Sequence, residues 1–166
     1  MEKGIATFSS KIFPGFPFRN NDWVAIAFER DNYTNVRLPE WFFRAAQELL
    51  DSSGEIMLIK GYGEIFDRAP GGVITIPFDW IKFETFMLAP ENYSPEYQIE
   101  GSKGDWAFWA DPELSVWGGH AVIMEKIFDR FGGKQKILIS MLKDFYISDI
   151  EANAQLYSYL RHLVFR

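Results

Sequence analysis

Residues Gly104–Gly119 read GDWAFWADPELSVWGG, and this stretch decides the fold. Asp105–Ala110 alternates around aromatic rings, Asp111-Pro112 supplies bend chemistry, and Glu113–Trp117 returns. Successive side chains on a strand point to opposite faces. Trp106, Phe108 and Ala110 therefore share one face, and Ala107 and Trp109 the other. Aromatic residues fill a pleated surface well, so the stretch predicts a tight β-hairpin. An isolated hairpin is marginal in water. Rings on both faces need cover on both sides, which predicts a central place in a larger sheet.

Upstream of the hairpin, Asp22–Glu29 (DWVAIAFE) reads as a strand buried on both faces, because its apolar run is nearly continuous. Pro39 suits the first turn of a helix. Trp41, Phe42, Ala45, Ala46, Leu49 and Leu50 then recur at helical spacing as one apolar face, and Ser52-Ser53-Gly54 supplies a stop. Glu55–Lys60 (EIMLIK) predicts a second strand. Glu64–Gly72 reads as a loop. Val73–Pro77 and Phe78–Met87 read as strands, or as one long strand bent at Pro77, a residue that disfavours a central position because it lacks an N–H. Ala89–Lys103 reads as a long polar loop, of the length that in a compact domain is functional or mobile.

Beyond Gly118-Gly119 the apolar period changes. Ile123, Ile127 and Phe131 are four apart, as are Met124 and Phe128, which predicts a helix ended by Gly132-Gly133. A second helix carries Ile137, Leu138, Met141, Leu142 and Phe145. Ser148 and Glu151 have the spacing of a capping box for a last helix to Arg166 that buries Ala154, Leu156, Tyr157, Leu160, Leu163 and Val164. Residues 1–21, with FPGFPF at 13–18, predict an ordered arm pinned by Phe13, Phe16 and Phe18. The expectation is one α+β domain over residues 1–166: a mainly antiparallel sheet, helices packed on one face, and a helical C-terminal part over 120–166.

Composition narrows function. The hydrophobic fraction is 48%, too apolar for a disordered chain. With no cysteine, disulfides, thiolate nucleophiles and cysteine-based zinc sites are excluded. The N-terminal residues lack the pattern of a signal peptide, and no run approaches a membrane span, so a cytoplasmic protein without a membrane role is expected. Net charge is −6. Residues 1–119 hold 10 Lys+Arg against 18 Asp+Glu, whereas residues 120–166 hold 7 against 5. Phosphate binding needs concentrated cations, so nucleic acid is not the expected partner. A basic protein is.

No catalytic signature emerges. GYGEIF at 61–66 lacks the spacing of a phosphate loop. There is no GxSxG elbow, no HExxH and no EF-hand spacing, so neither a cofactor nor a metal is expected. His120 and His162 are the two histidines. The first is placed to cap the helix it begins, and the second lies near a helix C-terminus where the dipole favours a cation. Asp105, Asp111 and Glu113 gather around the hairpin. Two carboxylates can hydrolyse a glycoside, and Trp106, Trp109 and Trp117 can stack on sugars. The plainer reading is turn chemistry, in which the Asp111 side chain accepts from the backbone two residues on.

Six Trp, 16 Phe and seven Tyr exceed what a small core ordinarily uses. Exposed rings beside carboxylates make protein-binding hot spots. The expected partner-binding residues are therefore Glu91, Tyr93, Glu96, Tyr97 and Glu100 in the polar loop, with Asp105, Trp106, Trp109, Asp111 and Glu113 in the hairpin. A cysteine-free acidic α+β chain of this size, with the aromatic hairpin DWAFWADPELSVWGG, resembles in type the small immunity proteins that accompany bacterial contact-dependent and polymorphic toxins. The resemblance implies a non-enzymatic inhibitor that blocks a basic toxin domain through acidic and aromatic surface groups. The alternative is a small-molecule or carbohydrate-binding domain, hydrolases included, built on a Trp-lined pocket with carboxylates.

Overall fold

The computed structural model describes Phe8, Phe13, residues 15–50 and residues 54–166. Six strands form one antiparallel sheet: β1 (Trp23–Glu29), β2 (Ile56–Gly61), β3 (Val73–Pro77), β4 (Tyr97–Gly101), β5 (Trp106–Ala110) and β6 (Leu114–His120). Their order is β1-β6-β5-β4-β2-β3. The hairpin is central, as its rings require, and Pro77 lies on an edge strand. Among the described residues six α-helices complete the domain: α1 (Glu40–Leu49), α2 (Glu64–Arg68), α3 (Trp80–Leu88), α4 (Ala121–Arg130), α5 (Lys134–Asp144) and α6 (Ala154–Val164). Among the described residues no helix is long and apolar enough to cross a membrane.

Register explains the core. Trp106 pairs with Gly119 and Phe108 with Trp117, which makes Trp106 and Trp117 diagonal neighbours on one face. Their rings stack with centroids 4.2 Å apart and planes 7° apart. Phe42 and Phe43 of α1 meet Trp117 edge-on, and Phe43 also packs on Phe83 of α3. On the opposite face Phe18 covers Gly118, whose missing side chain leaves the space its ring occupies. Phe8 meets Trp109 edge-on, and α6 packs against β1. The expectation of helices on one face is met by α1, α3 and α4 and extended by α6 on the other. The arm's rings are placed as expected, with Phe13 against Tyr159 of α6 and Phe16 against Phe18. The Ser52-Ser53 part of the helix stop lies outside the described residues.

The free edge of β1 is closed by α5. The Ala27 N–H meets Met141 Sδ at 3.3 Å, and the Glu29 N–H donates to Asp144 Oδ2 at 2.8 Å. An uncovered edge presents unpaired backbone groups, so this cover removes a template for mispairing.

Four expectations about secondary structure and one about burial are corrected. Phe78–Met87 is not a strand. Asp79 caps a helix by accepting from the Lys82 N–H at 3.0 Å, and Trp80, Phe83 and Met87 then fall on its buried side. Glu64–Arg68 within the expected loop forms α2, five residues too short to show a period. Tyr97–Gly101 within the expected polar loop is β4, whose Tyr97, Ile99 and Gly101 are buried in alternation. Ser148 and Glu151 do not frame the last helix, because Asp149 instead accepts from the Ala152 N–H at 3.1 Å in a turn and α6 starts at Ala154. In that helix Tyr159, Leu160, Leu163 and Val164 are the buried residues, while Ala154 is exposed.

Candidate binding surface

The ladder sorts the expected site residues between the two ends of the sheet. Glu29 at the end of β1 pairs with Leu114 at the start of β6, and Ala110 at the end of β5 pairs near Ser115 and Tyr97. Tyr97 pairs in turn with Gly61 at the end of β2. This end therefore collects Glu29, Asp111, Glu113 and Glu96, with Glu91 and Tyr93 in the segment leading into β4. The other end carries Asp105 beside His120. Glu100 pairs with Ala107 and Leu58 within the sheet and is half-buried.

The end bearing Asp111 is held by directional bonds. Asp111 Oδ1 accepts from the Glu113 N–H at 2.7 Å and the Leu114 N–H at 3.0 Å, the turn chemistry read from the sequence. Arg30 Nη1 donates to the Asp111 carbonyl at 3.1 Å. Arg37 is buried with a φ of 62°. Its guanidinium donates to the Ser94 and Pro95 carbonyls and lies 5.0 Å from the Tyr97 ring. Burial holds its pKa below the ordinary arginine value. It ties the chain before α1 to the chain before β4.

Three of the expected contact residues are interior. Tyr97, Trp106 and Trp109 are all buried. Tyr97 is covered by the Arg37 segment and its hydroxyl donates to the Val36 carbonyl at 2.5 Å, while burial pushes its pKa up. Trp106 lies under Phe78 and against Trp117. Trp109 is covered by Phe8, and its Nε1 donates to Glu96 Oε1 at 3.1 Å. None of the three is an exposed hot spot, and the pocket walled by Trp106 and Trp109 is lost with them. Of the expected rings only Tyr93 is open to solvent, at 49%. Glu91 and Glu113 are exposed, and Glu96, Asp105 and Asp111 are half-buried.

His120 begins α4 as expected, but its ring makes no cap bond. Its Nδ1 lies 3.3 Å from Asp22 Oδ2 and its Nε2 3.9 Å from Asp105 Oδ1, with Trp23 edge-on beneath. The group is open to solvent. Among the described residues no three His, Asp or Glu side chains are grouped to hold a metal ion.

Two clefts flank the junction of β1 with the end of α5. One, of about 410 Å³, is lined by Glu29 and Glu113 together with Phe13, Leu114, Phe145 and Leu156. The other, of about 300 Å³, lies along the β1 edge between Trp41, Tyr33, Tyr146 and Asp144. Asp144 Oδ1 accepts from Asn32 Nδ2 at 2.9 Å and from the Tyr33 hydroxyl at 3.1 Å. Burial and the nearby Asp144 carboxylate push the Tyr33 phenol pKa up. Trp41 was expected on the buried face of α1 but is 42% exposed, because α1 turns Phe42 and Phe43 onto the sheet.

Glu29, Tyr33, Trp41, Asp144 and Tyr146 did not stand out in the sequence. One signal was available: Asp144 is the last residue of α5, where the helix dipole disfavours an anion, so another partner must hold it.

No family model matches this chain, and comparison with curated proteins and with solved structures finds no match either.

Proposed function

We propose that this chain is a non-enzymatic binding protein that captures a basic protein partner, in the manner of an immunity protein that neutralises a bacterial toxin in the cytoplasm. The observation that carries the reading is the clustering of carboxylates at one sheet end. Glu29, Glu96, Asp111 and Glu113 come from three separate stretches of chain, and strand register brings them together. Glu91, exposed in the segment that leads into β4, adds a further carboxylate, and Asp144 approaches this end from α5. The four carboxylates stand against Arg30 and the buried Arg37, and an excess of charge of one sign steers an oppositely charged partner and raises its association rate. The apolar walls of the cleft between Glu29 and Glu113 add area that water leaves on contact. Tyr93 and Tyr62, the latter directly after the end of β2, are exposed rings at this end.

The test is direct. The purified chain is mixed with the protein encoded beside its gene, and association is followed at low and at physiological salt. The expected result is a complex whose formation slows as salt rises. Glu113→Lys combined with Glu91→Lys slows association several-fold at low salt. Absence of a complex at low salt overturns the reading, and an association rate indifferent to both substitutions removes this end from the interface.

A further inference from the structure

We infer that the cleft along the β1 edge is a receptor for a single arginine side chain. Its aromatic walls are Trp41, Tyr33 and Tyr146. Tyr146 is 78% exposed, lines the cleft, and its hydroxyl donates to Asn32 Oδ1 at 3.1 Å, which ties the ring to the residue that also donates to Asp144. Aromatic faces carry negative potential and attract a planar cation.

The acceptors point the same way. A carboxylate oxygen has two acceptor directions. Asp144 Oδ1 fills both, with Asn32 Nδ2 and the Tyr33 hydroxyl. Oδ2 takes the Glu29 N–H and retains one. Among the described residues no lysine or arginine forms an ion pair with Asp144. Strand geometry supplies a further acceptor. On an antiparallel strand the N–H and C=O of one residue point to the same side. The Ala27 N–H points outward to Met141, so the Ala27 carbonyl also faces the outer edge, where Ala27 lines the cleft. Ser140 adds a hydroxyl. The one cation on the lining, Lys143, is exposed to water. A guanidinium meets each requirement: ring faces to stack on, a carboxylate oxygen and a carbonyl to receive its N–H groups.

This deepens the proposed capture of a basic partner and rests on it for its biological purpose, but it is tested without that partner. Trp41 is the tryptophan open to solvent, the other five being buried, so intrinsic fluorescence reports on this cleft. The full chain is titrated with N-acetyl-arginine methylamide and, separately, with the citrulline analogue, which has nearly the same shape without the charge. The expected result is a saturable change with the arginine probe and none with the citrulline probe. Tyr146→Ala, which removes an exposed ring, weakens the arginine probe about fivefold, the size of one cation–π contact. Asp144→Asn weakens it further at nearly unchanged side-chain size. An unsaturable response, an equal response to citrulline, or an affinity unaffected by Tyr146→Ala overturns the inference. Failure of the toxin complex with arginine binding intact removes the proposed function alone; a complex that forms while the arginine probe fails to bind removes the cleft alone.

Discussion

The Glu29 N–H donates to Asp144 Oδ2 at 2.8 Å, joining residues 115 positions apart in the chain. One carboxylate at the end of α5 thereby closes the edge of β1, fixes Tyr33 and Asn32 through its second oxygen, and sets the floor of the aromatic cleft. Structure and candidate site share this group, and its removal should be felt in both.

Asp144→Ala leaves the Glu29 N–H, the Tyr33 hydroxyl and an Asn32 amide proton without their acceptor. Losing the acceptor of a partly buried donor costs about 1–3 kcal/mol, more where the acceptor is charged. Urea unfolding should show a loss of about 3 kcal/mol. Amide exchange at Glu29 should quicken well beyond that at Ala25, and equal quickening of both would show that the edge opens as a whole.

Trp117→Leu removes the ring that Trp106, Phe42, Phe43 and Phe108 all meet. Truncating a buried aromatic costs about 3–5 kcal/mol through lost transfer energy and the cavity left behind. Chemical denaturation should register a loss of that order, while an exposed ring such as Tyr93 replaced by Ala should change stability by less than about 0.5 kcal/mol.

Gly118→Val tests how the arm is docked. A Cβ at this position meets the Phe18 ring, so that ring must move and with it the arm it anchors. Overpacking of this kind costs about 1–3 kcal/mol. Limited proteolysis should cut near residues 15–21 faster than in the parent chain. An unchanged cutting rate would show that Phe18 has another seat.

Glu55 supplies a pH test. Its side chain is buried at the head of β2, where Oε1 accepts from the Lys103 N–H at 3.2 Å and Oε2 lies 3.9 Å from Lys103 Nζ. Burial raises its pKa above the ordinary 4.5, and the Lys103 contacts offset only part of the rise. A raised value means that the folded state holds the proton more tightly than the unfolded chain, so Glu55 lowers stability as pH rises through that window. Glu55→Gln should remove this fall. The stability difference between variant and parent should grow as pH increases from 4.5 and then level off; a difference that shrinks would reverse the assignment.

The hairpin, the helix after Pro39 and the two helices after Gly119 were legible because their signals are local: alternation at period two, recurrence near 3.6, and a turn residue that bonds its own backbone. The helix at Trp80–Leu88 was misread because its apolar residues are dense enough to satisfy either period, and the deciding group was the Asp79 cap. Strand β4 was hidden by Gln98 and Glu100, which lie on its half-buried face and gave the segment a loop's polarity. Within the candidate site, Glu91, Tyr93, Glu96, Asp111 and Glu113 were recognisable as acidic or aromatic positions. Glu29, Trp41 and Asp144 were not, because nothing beside them in sequence sets them apart.

By itself the sequence determined an α+β domain with an aromatic hairpin inside its sheet and a bend built on Asp111, since those depend on side-chain alternation and on bonds spanning two or three residues. Only the tertiary structure decided which rings are core and which carboxylates stand together. Burial of Trp109 depends on Phe8, and that of Trp106 on Phe78, residues far from each in the chain. That Glu113 shares a cleft with Glu29, and that Asp144 reaches the Glu29 N–H, depend on strand register and on where α5 comes to rest, both fixed by the packing of the whole apolar core rather than by any short stretch of residues.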